Sequence, residues 1–188
     1  TTGLSTVEIS SKNALKLIEE FKKFFNNSGL KYKSYVMSGN RDKINALTNL
    51  LDRHEITYGY ATSKKVTGHK YSTNTNGSMN TTLNDLVVST NQPKGKMIKA
   101  LFEPNAKLSD SLTYDITAWS LPYAYGLETI ASTSLVSNIT NTNTPAIQPL
   151  SNAYGYVSDW NSMKDAKFLA TLLNKNIKVR FNHEPFAQ

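Results

Sequence analysis

Residues 31–61, KYKSYVMSGNRDKINALTNLLDRHEITYGYA, are the stretch on which the fold assignment turns. Lys31–Met37 reads as a strand, Arg41–Arg53 as a helix and Ile56–Ala61 as a second strand. A strand, a helix and a strand in about thirty residues is close to the minimum for a right-handed parallel crossover. The pattern returns near the end of the chain, with a strand over Tyr154–Ser158, a helix over Met163–Asn174 and a strand over Ile177–Phe181. Leu50-Leu51 answers Leu172-Leu173, and Tyr35-Val36 answers Tyr156-Val157, which suggests a duplicated plan.

Between the two units, Leu83–Ser89 (LNDLVVS) has the character of a buried strand, and Lys94–Phe102 follows Pro93 as a helix. Alternating strands and helices of this kind predict a three-layer α/β domain. Its sheet would be open and mostly parallel, built from two strand–helix–strand units, flavodoxin-like or amidotransferase-like in plan. The expected organisation is a linker and amphipathic helix over 1–29, then a single α/β domain over 30–188 with long loops at 62–82 and 132–152. Thr1–Ser10 is polar and reads as extended. Ser11–Phe25 places Leu15, Ile18, Phe21, Phe24 and Phe25 near helical spacing, suited to packing on a neighbouring domain. Thr62–Thr82 reads as a long hairpin or loop, and Ser132–Asn152 as a flexible insertion with one strand at Leu135–Ile139.

Composition narrows the chemistry. The 188 residues contain no cysteine, so disulfides, thiolate metal sites and a cysteine nucleophile are excluded. The formal charge of +7 comes from lysines that are spread along the chain, without an arginine cluster. Solvated lysine faces account for it, and nucleic acid is not an expected partner. No apolar run reaches membrane-spanning length. His54, His69 and His183 are scattered and form no HxxE or HExxH pattern, so no metal site is expected. No GxSxG elbow anchors a serine nucleophile, and no catalytic residue is assigned.

In a parallel sheet, ligands gather at the carboxyl ends of the strands. Those ends would carry Asn40, Asn91 and Gln92, and Asp159 and Trp160. A second candidate surface is the aromatic run Ser109–Gly126, with Tyr114, Trp119 and Tyr123 around Asp115. So dense a cluster forms either a buried turn or an aromatic-lined wall anchored by the carboxylate.

Leu112–Gly126 (LTYDITAWSLPYAYG), with Tyr156–Trp160 (YVSDW) and Val179–Phe186 (VRFNHEPF), resembles a segment of large secreted zinc carboxypeptidase-like proteins of Bacteroidetes-type bacteria. There it lies between the peptidase domain and a glutamine-amidotransferase-like domain. The resemblance implies a non-catalytic accessory domain of a secreted or periplasmic, cell-surface protein. Its partners would be neighbouring domains of the same polypeptide, and zinc would belong only to the parent's peptidase domain. The competing expectation is a peptide- or glycan-binding module that rests its ligand on Trp119 and Trp160, with Asp115 as anchor.

Overall fold

A computed structural model describes residues 2–62, 64–105, 120–140 and 152–183. Its strands are β1 (Ser34–Ser38), β2 (Gly59–Ala61), β3 (Lys65–Lys70), β4 (Thr75–Asn80), β5 (Leu86–Ser89), β6 (Glu128–Ser132) and β7 (Asn138–Ile139). They form one sheet in the order β4-β3-β6-β1-β5-β2-β7, and every neighbouring pair is antiparallel. The mostly parallel, three-layer, flavodoxin-like architecture expected from the sequence is therefore wrong.

The error has a topological origin. β1 and β2 do run in the same direction, joined by α3 (Arg41–Arg53), but β5 lies between them and pairs antiparallel with both. In the same way β5 and β6, connected through α4 (Gly95–Phe102), are parallel to one another and flank β1. The four central strands thus follow the double split β-α-β plan of ferredoxin-like sheets. A crossover helix alone does not reveal whether the gap between its strands is filled.

The two crossover helices lie on one face. α3 buries Ile44, Leu47 and Leu51, and α4 buries Ile98 and Phe102. These residues share one cluster with Tyr35 and Met37 of β1 and with Leu86 and Val88 of β5. On the opposite face Val36, Val87 and Ile130 pack with Ala61 and Val66 from strands at distant positions in the sheet. Curvature makes that contact possible. Ala61 to Lys65 is four Cα steps, at most ~14 Å of chain. In a flat sheet the four strand spacings from β2 to β3 would need ~19 Å. The sheet accordingly curls into a half-barrel whose concave side closes on itself. Both faces of β1 and β5 are buried. That is why the apolar runs read as parallel-sheet strands.

Local chemistry sets the element ends. Asn40 caps α3 by accepting from the Asp42 N–H at 2.7 Å. α3 closes in a Schellman arrangement: the Ile56 N–H donates to Leu51 O, and the Glu55 N–H donates to Asp52 O. Glu55 takes the left-handed conformation this closure requires, with φ 55°. The 62–82 stretch holds the β3–β4 hairpin, paired without a bulge from Lys65↔Asn80 to Lys70↔Thr75. At Gly68 the hairpin approaches β6 so closely that a Cβ would lie 2.2 Å from the Ala131 carbonyl oxygen.

The ends of the chain depart from expectation. Thr2–Lys12 is helix α1 rather than an extended linker, followed by α2 (Ala14–Phe24). In the C-terminal unit only the helix forms, as α6 (Met163–Asn174); Tyr154–Ser158 and Ile177–Phe181 are not strands. Neither segment pairs with a strand among the described residues, so neither extends the sheet. β6, absent from the sequence reading, supplies the central pairing of β1 on the other side.

Candidate functional site

Antiparallel pairing separates the residues expected to share one pocket. Asn40 follows the end of β1, whereas Asn91 and Gln92 follow the end of β5, which runs the other way. They occupy opposite ends of the sheet. No common carboxyl-end pocket forms among the described residues.

At the β5 end, Gln92 is a clasp. Its Oε1 accepts from the Thr57 N–H at 2.8 Å and the Thr57 hydroxyl at 2.9 Å. Its Nε2 donates to Thr57 O and Ser89 O, both at 2.8 Å. Every polar atom of the side chain is engaged, so Gln92 fixes the lead-in of β2 against the exit of β5. Asn91 is exposed, and its N–H donates to Ser89 Oγ at 3.0 Å. Asn27, just beyond α2, donates from Nδ2 to Gln92 O at 2.6 Å. These residues, with Phe25, Lys33 and Leu135, border an open cleft of 570 Å³.

At the other end, Asn40 meets the C-terminal unit: its Nδ2 donates to Asn161 Oδ1. The Ser162 hydroxyl donates to Asp42 Oδ2 at 3.0 Å, and Lys164 Nζ lies 2.9 Å from Asp42 Oδ1. Two helix N-termini are thus tied through one carboxylate. Ser162, not Ser158 or Asp159, caps α6 and forms a capping box with Asp165. The Asn161 and Ser162 N–H groups donate to the Asp165 carboxylate at 2.9 and 2.7 Å. The Asn161 amide, then the Ser162 contacts, hold the Asp165 carboxyl below the ordinary aspartate range. Asp159 and Trp160 are exposed beside this junction. The spacing Ser-x-x-Asp was the legible signal for the cap, but the reach of Ser162 to Asp42 was not written locally.

Of the aromatic run, Tyr114, Asp115 and Trp119 lie outside the described residues. Tyr123 belongs to α5 (Leu121–Tyr125), which Gly126 closes at φ 60°. Tyr123 is half exposed; its ring sits 5.1 Å from Tyr71, and its hydroxyl donates to Tyr71 O at 3.3 Å. Behind it, Tyr71 donates to Phe102 O, and Tyr35 stacks on Phe102 with centroids 5.5 Å apart. Burial pushes both the Tyr35 and the Tyr71 phenols well above the ordinary tyrosine value. These are core groups, held neutral. The His69 ring lies between Tyr32 and Tyr71, at 6.4 and 6.2 Å.

Beside His69, a second open cleft of 580 Å³ runs along the β3–β4 hairpin. Tyr32 walls it, with Lys31 Nζ 4.8 Å from the Tyr32 ring centroid. Sequence reasoning overlooked this cleft because Lys31, His69 and Asn76 come together through three successive pairings, β1 with β6, β6 with β3 and β3 with β4.

Taken together, the described residues define a two-layer antiparallel α/β domain with open clefts at its margins. No group of three metal-ligating side chains occurs among the described residues, nor is any described helix long and apolar enough to cross a membrane. Comparison with protein-family models, with curated proteins and with solved structures finds no match.

Proposed function

We propose that this chain is a non-catalytic docking domain of a secreted zinc carboxypeptidase-like protein, packing against neighbouring domains of the same polypeptide. One observation supports the docking role above others. α1, α2 and α6 bury no residue at all, yet carry large apolar side chains: Leu15, Phe21 and Phe24 on α2, and Phe168 and Leu173 on α6. Apolar side chains of that size each contribute about 1.5–3 kcal/mol when fully buried. Amphipathic helices left open in this way are suited to a contact surface. α2 meets the sheet end through Asn27, just beyond it, and through Lys96, which donates to Lys23 O at 3.3 Å and lies 4.7 Å from the Phe24 ring.

The parent class rests on the resemblance in Leu112–Gly126, Tyr156–Trp160 and Val179–Phe186. In this reading the hydrolytic zinc belongs to the parent's peptidase domain, and this chain supplies spacing and contact. The test is direct binding of the purified chain to the peptidase domain encoded in the same reading frame. Saturable binding that Phe21→Ser or Phe168→Ser weakens is expected. Absence of such a domain, absence of binding, or chelator-sensitive release of C-terminal residues by this chain alone would defeat the proposal.

A further inference from the structure

The two edges of the sheet are built differently. β7 is two residues long, the usual way to blunt an edge. β4 is six residues long, and among the described residues β3 is its single neighbour in the sheet. Its sequence, Thr75–Asn80 (TNGSMN), contains no charge and no proline, and its ladder contains no bulge. Those are the devices that normally stop another strand from adding to an open edge, and β4 has none of them. Alternate N–H and C=O groups along β4 therefore face outward, spaced for an extended chain.

The cleft described above lies across the face of the sheet and reaches β4 from its inner side, lined by Lys31 and Tyr32 ahead of β1, Thr67 and His69 on β3, Thr133 after β6 and Asn76 on β4. None of its described lining residues is a carboxylate. Lys65, at the base of β3, is exposed as well, while Lys70 is matched by Glu128 at 3.4 Å. Among the described residues, Lys31 and Lys65 thus bring unmatched positive charge to this side of the sheet, in a chain of net charge +7.

From the open edge and the basic cleft beside it, we infer that β4 is a strand-addition site for an extended acidic peptide segment. Main-chain hydrogen bonds to β4 would supply the affinity. Alternate side chains of the peptide would fall into the cleft, where Lys31 and the Tyr32 ring select for a carboxylate. This surface is separate from the open faces of α2 and α6, and it does not rest on the docking proposal.

The test uses the chain uniformly labelled for amide NMR and a blocked peptide matching the six residues of β4, alternating Glu and Val. Expected are shifts confined to Lys31–Tyr32 and the β3–β4 hairpin, new exchange protection on β4 amides, and binding that weakens with salt. The matching Lys–Val peptide should bind at least about tenfold more weakly. Ser78→Lys, a charge placed on the edge, should weaken binding about tenfold or more, and Lys31→Glu should reverse the preference between the two peptides. Circular dichroism confirms that each variant is folded. No binding of the Glu–Val peptide, equal binding of both peptides, shifts centred elsewhere, or a folded Ser78→Lys chain that binds normally would each overturn the inference.

Discussion

Replacing Gln92 by alanine separates a structural clasp from a ligand-binding residue. The substitution removes four hydrogen bonds, two accepted from Thr57 and two donated to Thr57 O and Ser89 O. A hydrogen bond of this kind contributes about 1 kcal/mol net. Gln92 is half-buried, so water recovers part of the lost bonding and the expected destabilisation is about 2–3 kcal/mol rather than about 4. At roughly 2–4 °C per kcal/mol for a chain of this size, the melting temperature should fall by about 4–12 °C. Urea unfolding followed by far-UV circular dichroism provides the free energy, with the slope against denaturant unchanged because the same surface is exposed. Gln92→Glu should be nearly as harmful: it keeps the acceptor for Thr57 but turns a carboxylate oxygen toward two carbonyls. If Gln92→Ala unfolds at the wild-type midpoint, the clasp carries no stability and the account of this sheet end is wrong.

Other consequences are equally specific. Leu47→Ala, in the core beneath α3, should cost about 2–5 kcal/mol, while Phe21→Ala on exposed α2 should leave the unfolding midpoint of the isolated chain within about 0.5 kcal/mol of wild type. Glu55→Gly should stabilise the domain by about 0.5–1 kcal/mol in the same urea assay, since Glu55 occupies a left-handed position and its ion pair with Lys94, at 3.8 Å, is exposed. The Asp165 carboxyl is held below its unfolded value, so its support for α6 is present above the unfolded pKa of about 4 and is lost as the pH falls through the folded value. Carboxyl NMR of Asp165 and amide protection in α6 should therefore decline together under acid, and Asp165→Asn should remove the pH dependence. The Tyr35 and Tyr71 phenols are raised instead, so their contribution is complete below the unfolded value of about 10 and is lost in stronger alkali. Phenolate absorbance should show both ionising only as the chain unfolds; early titration of either would contradict their burial.

How much was legible in the sequence differs by residue. Arg41–Arg53 and Met163–Asn174 form helices over the stretches that periodicity marked, because a helix closes its hydrogen bonds within the segment. An asparagine just before a helix is a local signal of the same kind, and Asn40 caps α3. Asn91 and Gln92 were recognised as polar residues at a strand exit, but their partners, Thr57 and Ser89, were not legible, since Thr57 is thirty-five positions away. The Lys31–Tyr32–His69 cleft left no sequence signal, because no single segment contains it.

The chain by itself determined where apolar and polar residues alternate, which segments coil into helices, and which reactive groups it lacks. Only the tertiary structure decided that β5 enters between β1 and β2, that both crossover helices share one face, and that the sheet curls until Ala61 and Val66 meet. The physical reason is that a strand's hydrogen bonds are made by its backbone, which is the same for every residue type but proline. A run such as Leu86–Ser89 therefore states that it will be buried and leaves the direction of its neighbours to the rest of the fold.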